Sequence, residues 1–129
     1  MNIEQFTQAK SWEDRYRLII QVGKLLPQPT EQQLAEMQPI SGCEAKVWLK
    51  ISPAQHRTFN IEAYSEARII NGLLWLLLQA VNGKTAEQLT EFDLTDYFKR
   101  LKIAERLSST RLNGLKQIEK ILHSLQEQK

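Results

Sequence analysis

From Lys46 to Ile51 the chain reads Lys-Val-Trp-Leu-Lys-Ile, so Val47, Leu49 and Ile51 alternate with Lys46, Trp48 and Lys50. A period of two places successive side chains on opposite faces of an extended chain, and the run predicts a half-buried strand. Thr58 to Ala63 alternates again through Phe59, Ile61 and Ala63, and Ser52-Pro53-Ala54-Gln55 reads as the turn between them. Together they predict an antiparallel hairpin. Local pattern gives weaker support to a third short strand, around Gln38 to Ser41.

Elsewhere the period is helical. Ser11-Trp12-Glu13-Asp14 resembles a capping box, and Trp12, Tyr16, Ile19, Ile20 and Val22 follow at helical spacing until Pro27 and Pro29 stop the run. Thr30-Glu31-Gln32-Gln33 caps a short second helix ahead of Pro39. Ser65 reads as the cap of a long helix over 66–81, apolar nearly all round from Ile69 onward and therefore central to the core. Gly83 marks its end. Thr85-Ala86-Glu87-Gln88 opens another helix, Asp93 to Leu101 a further one, and Ser108-Ser109-Thr110 a last one striped with Leu112, Leu115, Ile118, Ile121, Leu122 and Leu125. Gly72 and Gly114, inside helical patterns, point to close packing. The fold class is α+β: a small antiparallel sheet of about three strands packed against helices.

Composition narrows the function classes. The 129 residues suit one domain, 1–129, and 42% hydrophobic with 25% charged residues is ordinary globular usage. The first residues lack the basic-then-apolar pattern of a signal peptide. The stretch Ile69 to Val81, broken by Asn71, Gly72 and Gln79, is too short to span a bilayer. A soluble, cytoplasmic protein without a membrane partner is expected. Net charge is +2, and the clearest basic cluster, Lys99, Arg100 and Lys102, has acids nearby. No basic stripe with interleaved aromatics is present, so nucleic acid is not an expected partner.

Candidate chemistry is sparse. No phosphate-cradling glycine loop, HExxH motif or convincing carboxylate pair appears, and neither His56 nor His123 is placed by sequence beside a nucleophile. One cysteine, Cys43, excludes an intramolecular disulfide and a cysteine-only metal cage. It has two readings. A lone cysteine is most often a small buried hydrophobe. Here, however, Ser41-Gly42 before it and Glu44 after it look like a loop leading into a strand, and loops carry function disproportionately. A lone loop thiol is also compatible with carrying sulfur as a persulfide, because no second cysteine in the chain can discharge it as a disulfide. Arg111 falls in the first turn of the last helix, where a cation opposes the helix dipole. It is either a solvated arginine or one facing a carboxylate, Glu66 or an acid on a partner.

The order of these pieces resembles one family. Trp12-Glu13-Asp14-Arg15-Tyr16-Arg17, Gly23-Lys24 and Leu26-Pro27 are followed by Gly42-Cys43-Glu44 with Val47-Trp48-Leu49. Then come Ser65 to Leu74 (SEARIINGLL), Gly83-Lys84-Thr85, and Leu107 to Leu115 (LSSTRLNGL). From Trp12 to Ile121 the chain resembles the SufE family of sulfur-acceptor proteins, which includes the CsdE branch. The resemblance implies an α+β fold shared with IscU-type scaffolds. It implies that Cys43 accepts persulfide sulfur from a SufS- or CsdA-like cysteine desulfurase and stimulates it, with Glu66 and Arg111 near the Cys43 loop and Gly42 lending that loop freedom. Sulfur then passes to an acceptor such as an iron–sulfur scaffold, or toward tRNA modification. Pyridoxal phosphate belongs to the desulfurase; this chain is expected to bind no cofactor or metal and to act as an accessory protein. Glu66, Ser109 and Leu112 depart from common family residues, which bears on partner identity, and the SufE and CsdE branches both remain open. A non-carrier adaptor that regulates a desulfurase by docking alone is the alternative. An iron–sulfur scaffold is disfavoured, since one thiolate cannot supply the usual ligands.

Overall fold

The computed structural model describes residues 3–40 and 45–126, and its strands form one antiparallel sheet: β1 (Gln38–Ile40), β2 (Val47–Pro53) and β3 (Phe59–Ser65), in that spatial order. The β2–β3 register runs from Val47 opposite Ser65 to Pro53 opposite Phe59, and Ile40 of β1 lies opposite Val47. Period two decides the faces. Val47, Leu49, Phe59, Ile61 and Ala63 are buried, while Asn60 and Glu62 are exposed. On the outer face Trp48 and Tyr64, direct cross-strand partners, stack with ring centroids 6.3 Å apart.

The hairpin reverses later than its sequence suggests. Ser52 and Pro53 belong to β2, and the chain turns at Gln55–Arg57, a single turn of 3-10 helix in which His56 and Arg57 have φ of 58° and 63°. Pro53 is tolerated because β1 reaches along β2 only as far as Leu49, so its missing N–H removes no rung to β1.

The helices are α1 (Glu4–Gln8), α2 (Trp12–Gly23), α3 (Glu31–Ala35), α4 (Arg68–Val81), α5 (Ala86–Thr90), α6 (Leu94–Arg100) and α7 (Ser109–His123). Their starts follow side-chain chemistry. Ser11 accepts from the Asp14 N–H, Asp93 from Asp96 and Ser108 from Arg111. Thr30 with Gln33 and Thr85 with Gln88 make reciprocal capping boxes. α1 has no counterpart in the sequence reading: five residues with one buried apolar side chain, Phe6, carry no period. The start of α4 is a correction. The helix begins at Arg68 after Ala67, which makes no side-chain cap, and Ser65 is the last residue of β3.

One apolar cluster takes in residues from Phe6 to Leu122, with α4 at its centre, packed on both the sheet and α2. α2 and α4 approach until backbones touch. A Cβ on Gly23 would stand 2.7 Å from the Gly72 nitrogen, and one on Gly72 would overlap the Ile19 carbonyl and side chain. Close packing thus accounts for Gly72, and Gly114 is buried within α7. α6 is tied to α4 by the Tyr97 hydroxyl, which donates to the Leu76 carbonyl at 2.7 Å; burial pushes the Tyr97 pKa up to about 12. Among the described residues no helix is long and apolar enough to cross a membrane.

Candidate functional site

Cys43, with its neighbours Gly42 and Glu44, lies outside the described residues. The structure defines the two points from which that segment departs. Ile40 ends β1 and Val47 begins β2, and the two are register partners. Antiparallel partners keep their Cα atoms about 5 Å apart, so the chain leaves and re-enters the sheet at adjacent positions. Both residues are buried, Ile40 at 8% exposure and Val47 at 1%.

A buried polar cluster clamps the second departure point. The Ser65 hydroxyl donates to the Lys46 carbonyl at 2.7 Å and accepts from the Ala67 N–H at 3.2 Å. The Asn71 side chain then satisfies both backbone groups of Ser65: Oδ1 accepts from its N–H at 2.7 Å, and Nδ2 donates to its carbonyl at 2.8 Å. Asn71 acts as a one-residue strand laid along the outer edge of β3. Ser65 and Asn71 are the two buried polar residues of the described core, and buried polar groups require partners of this kind. Neither stands out in the sequence, where Ser65 reads as a helix cap and Asn71 as an interruption in an apolar run. A polar residue inside an otherwise apolar helix is the available signal.

Glu66 directly follows Ser65, so it sits at the same end of the sheet as the Cys43 connection, and it is exposed. Arg111 lies in the first turn of α7, half-buried, with its Nε out of solvent. Ion pairs between described residues join Arg17 to Asp14, Lys50 to Glu36 and Arg100 to Asp96, all at other places. The histidines are committed elsewhere. His56 lies in the turn beyond Pro53, and the strand from Val47 to Pro53 spans about 20 Å. His123 Nε2 is 2.7 Å from the Phe92 carbonyl. Among the described residues no group of three His, Cys, Asp or Glu side chains is placed to hold a metal ion.

Known proteins share this architecture. The solution structure of a hypothetical protein from Thermus thermophilus has the same fold, with a TM-score of 0.73 over 95% of this chain and 88% of that one, at 16% identity. A SufE-like protein of Haemophilus influenzae is 58% identical over 123 residues, covering 95% of this chain and 98% of its own length. The sulfur acceptor protein CsdE of Escherichia coli is 39% identical over 110 residues, covering 85% of this chain and 75% of CsdE. Residues 1–126 match the family model described as SufE, Fe-S metabolism associated domain. The chain belongs to the SufE family.

Proposed function

We propose that this chain is a sulfur acceptor that takes persulfide sulfur from a pyridoxal-phosphate cysteine desulfurase onto Cys43, stimulates that enzyme, and delivers the sulfur to iron–sulfur assembly. The observation that carries the reading is the position of the chain's only thiol, Cys43, between two strand ends held as adjacent partners, in a chain of this family. The likeness to a sulfur acceptor protein supports it.

The chemistry is an exchange without net oxidation. The Cys43 thiolate attacks the outer sulfur of the partner's persulfide, a new S–S bond forms at Cys43, the partner's S–S bond breaks, and its cysteine leaves as the thiolate with the electron pair. An ordinary cysteine thiol, with a pKa of about 8.5, is mostly protonated at neutral pH, so the partner's site supplies much of the activation. A clamped stem contributes orientation: exchange needs the thiolate in line with the S–S bond, and fixed departure points limit the search for that geometry. Glu66, exposed beside the stem, and Arg111 serve as docking side chains in this reading.

The test is an intact mass after incubation with a desulfurase, cysteine and pyridoxal phosphate. Wild type gains one sulfur atom and Cys43→Ser gains none. A sulfur adduct that persists on Cys43→Ser removes Cys43 from the role. Full stimulation of the desulfurase by Cys43→Ser, with loss in Glu66→Lys, would instead establish an adaptor that works by docking.

A further inference from the structure

Cations far apart in sequence meet in one place. Lys10, Arg15, Lys99, Lys102 and Arg106 line an open concavity of about 610 Å³ that contains one acid, Glu105. Five cations against one acid leave four net positive charges there, although the whole chain carries +2. The ion pairs between described residues do not relieve this charge, since none of them includes a cation of the concavity. Like charges gathered in a concave wall focus a positive potential outward.

Three of the five are held in place. Arg15 donates from Nε to the Phe6 carbonyl at 2.9 Å and from Nη2 to the Ala9 carbonyl at 2.6 Å. The Arg106 guanidinium stands 5.9 Å from the centroid of the Trp12 ring, which also lines the concavity. Lys102 is held by its backbone. Just past α6 it has φ of 64°, with its N–H bonded to the Lys99 carbonyl and the Ile103 N–H bonded to the Phe98 carbonyl. That left-handed position at a helix end is the one glycine usually fills, because a Cβ is strained there. The chain therefore tolerates local backbone strain in a wall where like charges gather, and a bound anion would offset those charges.

We propose that this concavity binds a small molecule carrying two or more phosphate groups. Its volume lies within the range of small-molecule sites, roughly 300–1,000 Å³. Lysine ammonium groups act as point charges toward phosphate oxygens, and Trp12 supplies an apolar wall. An acidic peptide fits less well. The neighbouring carbonyls of Phe6 and Ala9 are occupied by Arg15, and that of Thr7 accepts from Lys102 Nζ at 3.4 Å, so they offer no free edge for main-chain pairing.

The test is calorimetric titration of the full chain with inorganic tripolyphosphate, with citrate and a hexaglutamate peptide as comparators. Tripolyphosphate is expected to bind at one saturable site, about tenfold more tightly than either comparator, and to weaken as ionic strength rises. Lys102→Gly separates charge from folding. It removes the backbone strain, so the thermal midpoint should rise, while tripolyphosphate affinity falls about fivefold for the lost contact. Lys99→Ala combined with Arg106→Ala should weaken binding further. Equal or tighter binding of citrate or hexaglutamate, or a Lys102→Gly variant with a raised midpoint and unchanged affinity, would overturn the proposal.

Discussion

The β2–β3 hairpin turns at its Pro53–Phe59 end through bonds that run within a few residues. The Ala54 N–H donates to the Thr58 carbonyl, the Thr58 hydroxyl donates to the Gln55 carbonyl, and His56 and Arg57 adopt left-handed backbone in solvent. Beside the turn, β3 is tied to the segment after α4: the Phe59 N–H donates to the Lys84 carbonyl, the Gly83 N–H to the Phe59 carbonyl and the Ile61 N–H to Asn82 Oδ1. At the Val47–Ser65 end the closing bonds come from two buried side chains, the Ser65 hydroxyl of β3 donating to the Lys46 carbonyl and Asn71 of α4 holding the Ser65 backbone. At the first end the turn residues 54–58 are held mainly by one another, and His56 itself is replaceable. The second is built into the core, and it is the end from which the Cys43 segment departs. The point where the chain re-enters the sheet after Cys43 is thus tied, at Lys46 and through Ser65, to α4, and a disturbance of α4 reaches that point directly.

That contrast can be broken experimentally. Gly72→Ala should have the largest effect: its Cβ overlaps Ile19, α2 and α4 must separate, and stability should fall by about 3 kcal/mol or more in chemical denaturation. Asn71→Ala comes next. It leaves the N–H and carbonyl of Ser65 without their partners, at a cost of about 2–4 kcal/mol, and amide exchange should rise first at Val47 and Ser65.

Tyr97 tests the middle of α4, between the two ends. Tyr97→Phe should cost about 1 kcal/mol by removing the bond to Leu76. The pH dependence has a definite sign. The hydroxyl ionises near 10 in the unfolded chain and near 12 in the folded one, so the unfolded state loses its proton first. This contribution is fully present below pH 10 and is lost as pH rises from 10 to 12, a slope that Tyr97→Phe should flatten.

The smallest effect belongs to the turn. His56→Gly removes a strained left-handed residue but gives the unfolded chain more freedom, so stability should change by less than about 1 kcal/mol, toward stabilisation. Sulfur uptake by Cys43 should be untouched. If His56→Gly costs as much as Asn71→Ala, the turn is not more replaceable than the Ser65–Asn71 clamp.

What is legible in the sequence follows from the range of each interaction. The reciprocal caps at Thr30–Gln33 and Thr85–Gln88 involve residues three apart, so a short window contains both partners. The alternation in β2 and β3 and the close contact at Gly72 are likewise readable, because a period or a glycine inside a helix carries a local cost. Ser65 misleads because its partners lie across a change from strand to helix: Lys46 is nineteen positions away and Asn71 six. α1 escapes because one buried Phe6 makes no pattern. At the candidate site, Cys43 stands out as the only thiol and Glu66 and Arg111 as charged residues, whereas the bonds that secure the stem do not. The basic concavity is least visible. Lys99, Arg100 and Lys102 read as a cluster with acids nearby, and the fold divides them, giving Arg100 to Asp96 and joining the two lysines to Lys10 and Arg15.

The two strands that flank the Cys43 segment differ in length, three residues in β1 and seven in β2. Their difference has a mechanical consequence. Tension drawing the chain outward between Ile40 and Val47 runs along both strands, so each strand is loaded in shear against all of its pairs at once. β2 is backed by seven register pairs with β3 and by the Ser65 bond at Lys46, while β1 has three pairs and its packing against α7. The β1 side yields first. A partner that pulls on this segment would lengthen it at the expense of Ile40, Pro39 and Gln38, and Val47 would remain the fixed pivot.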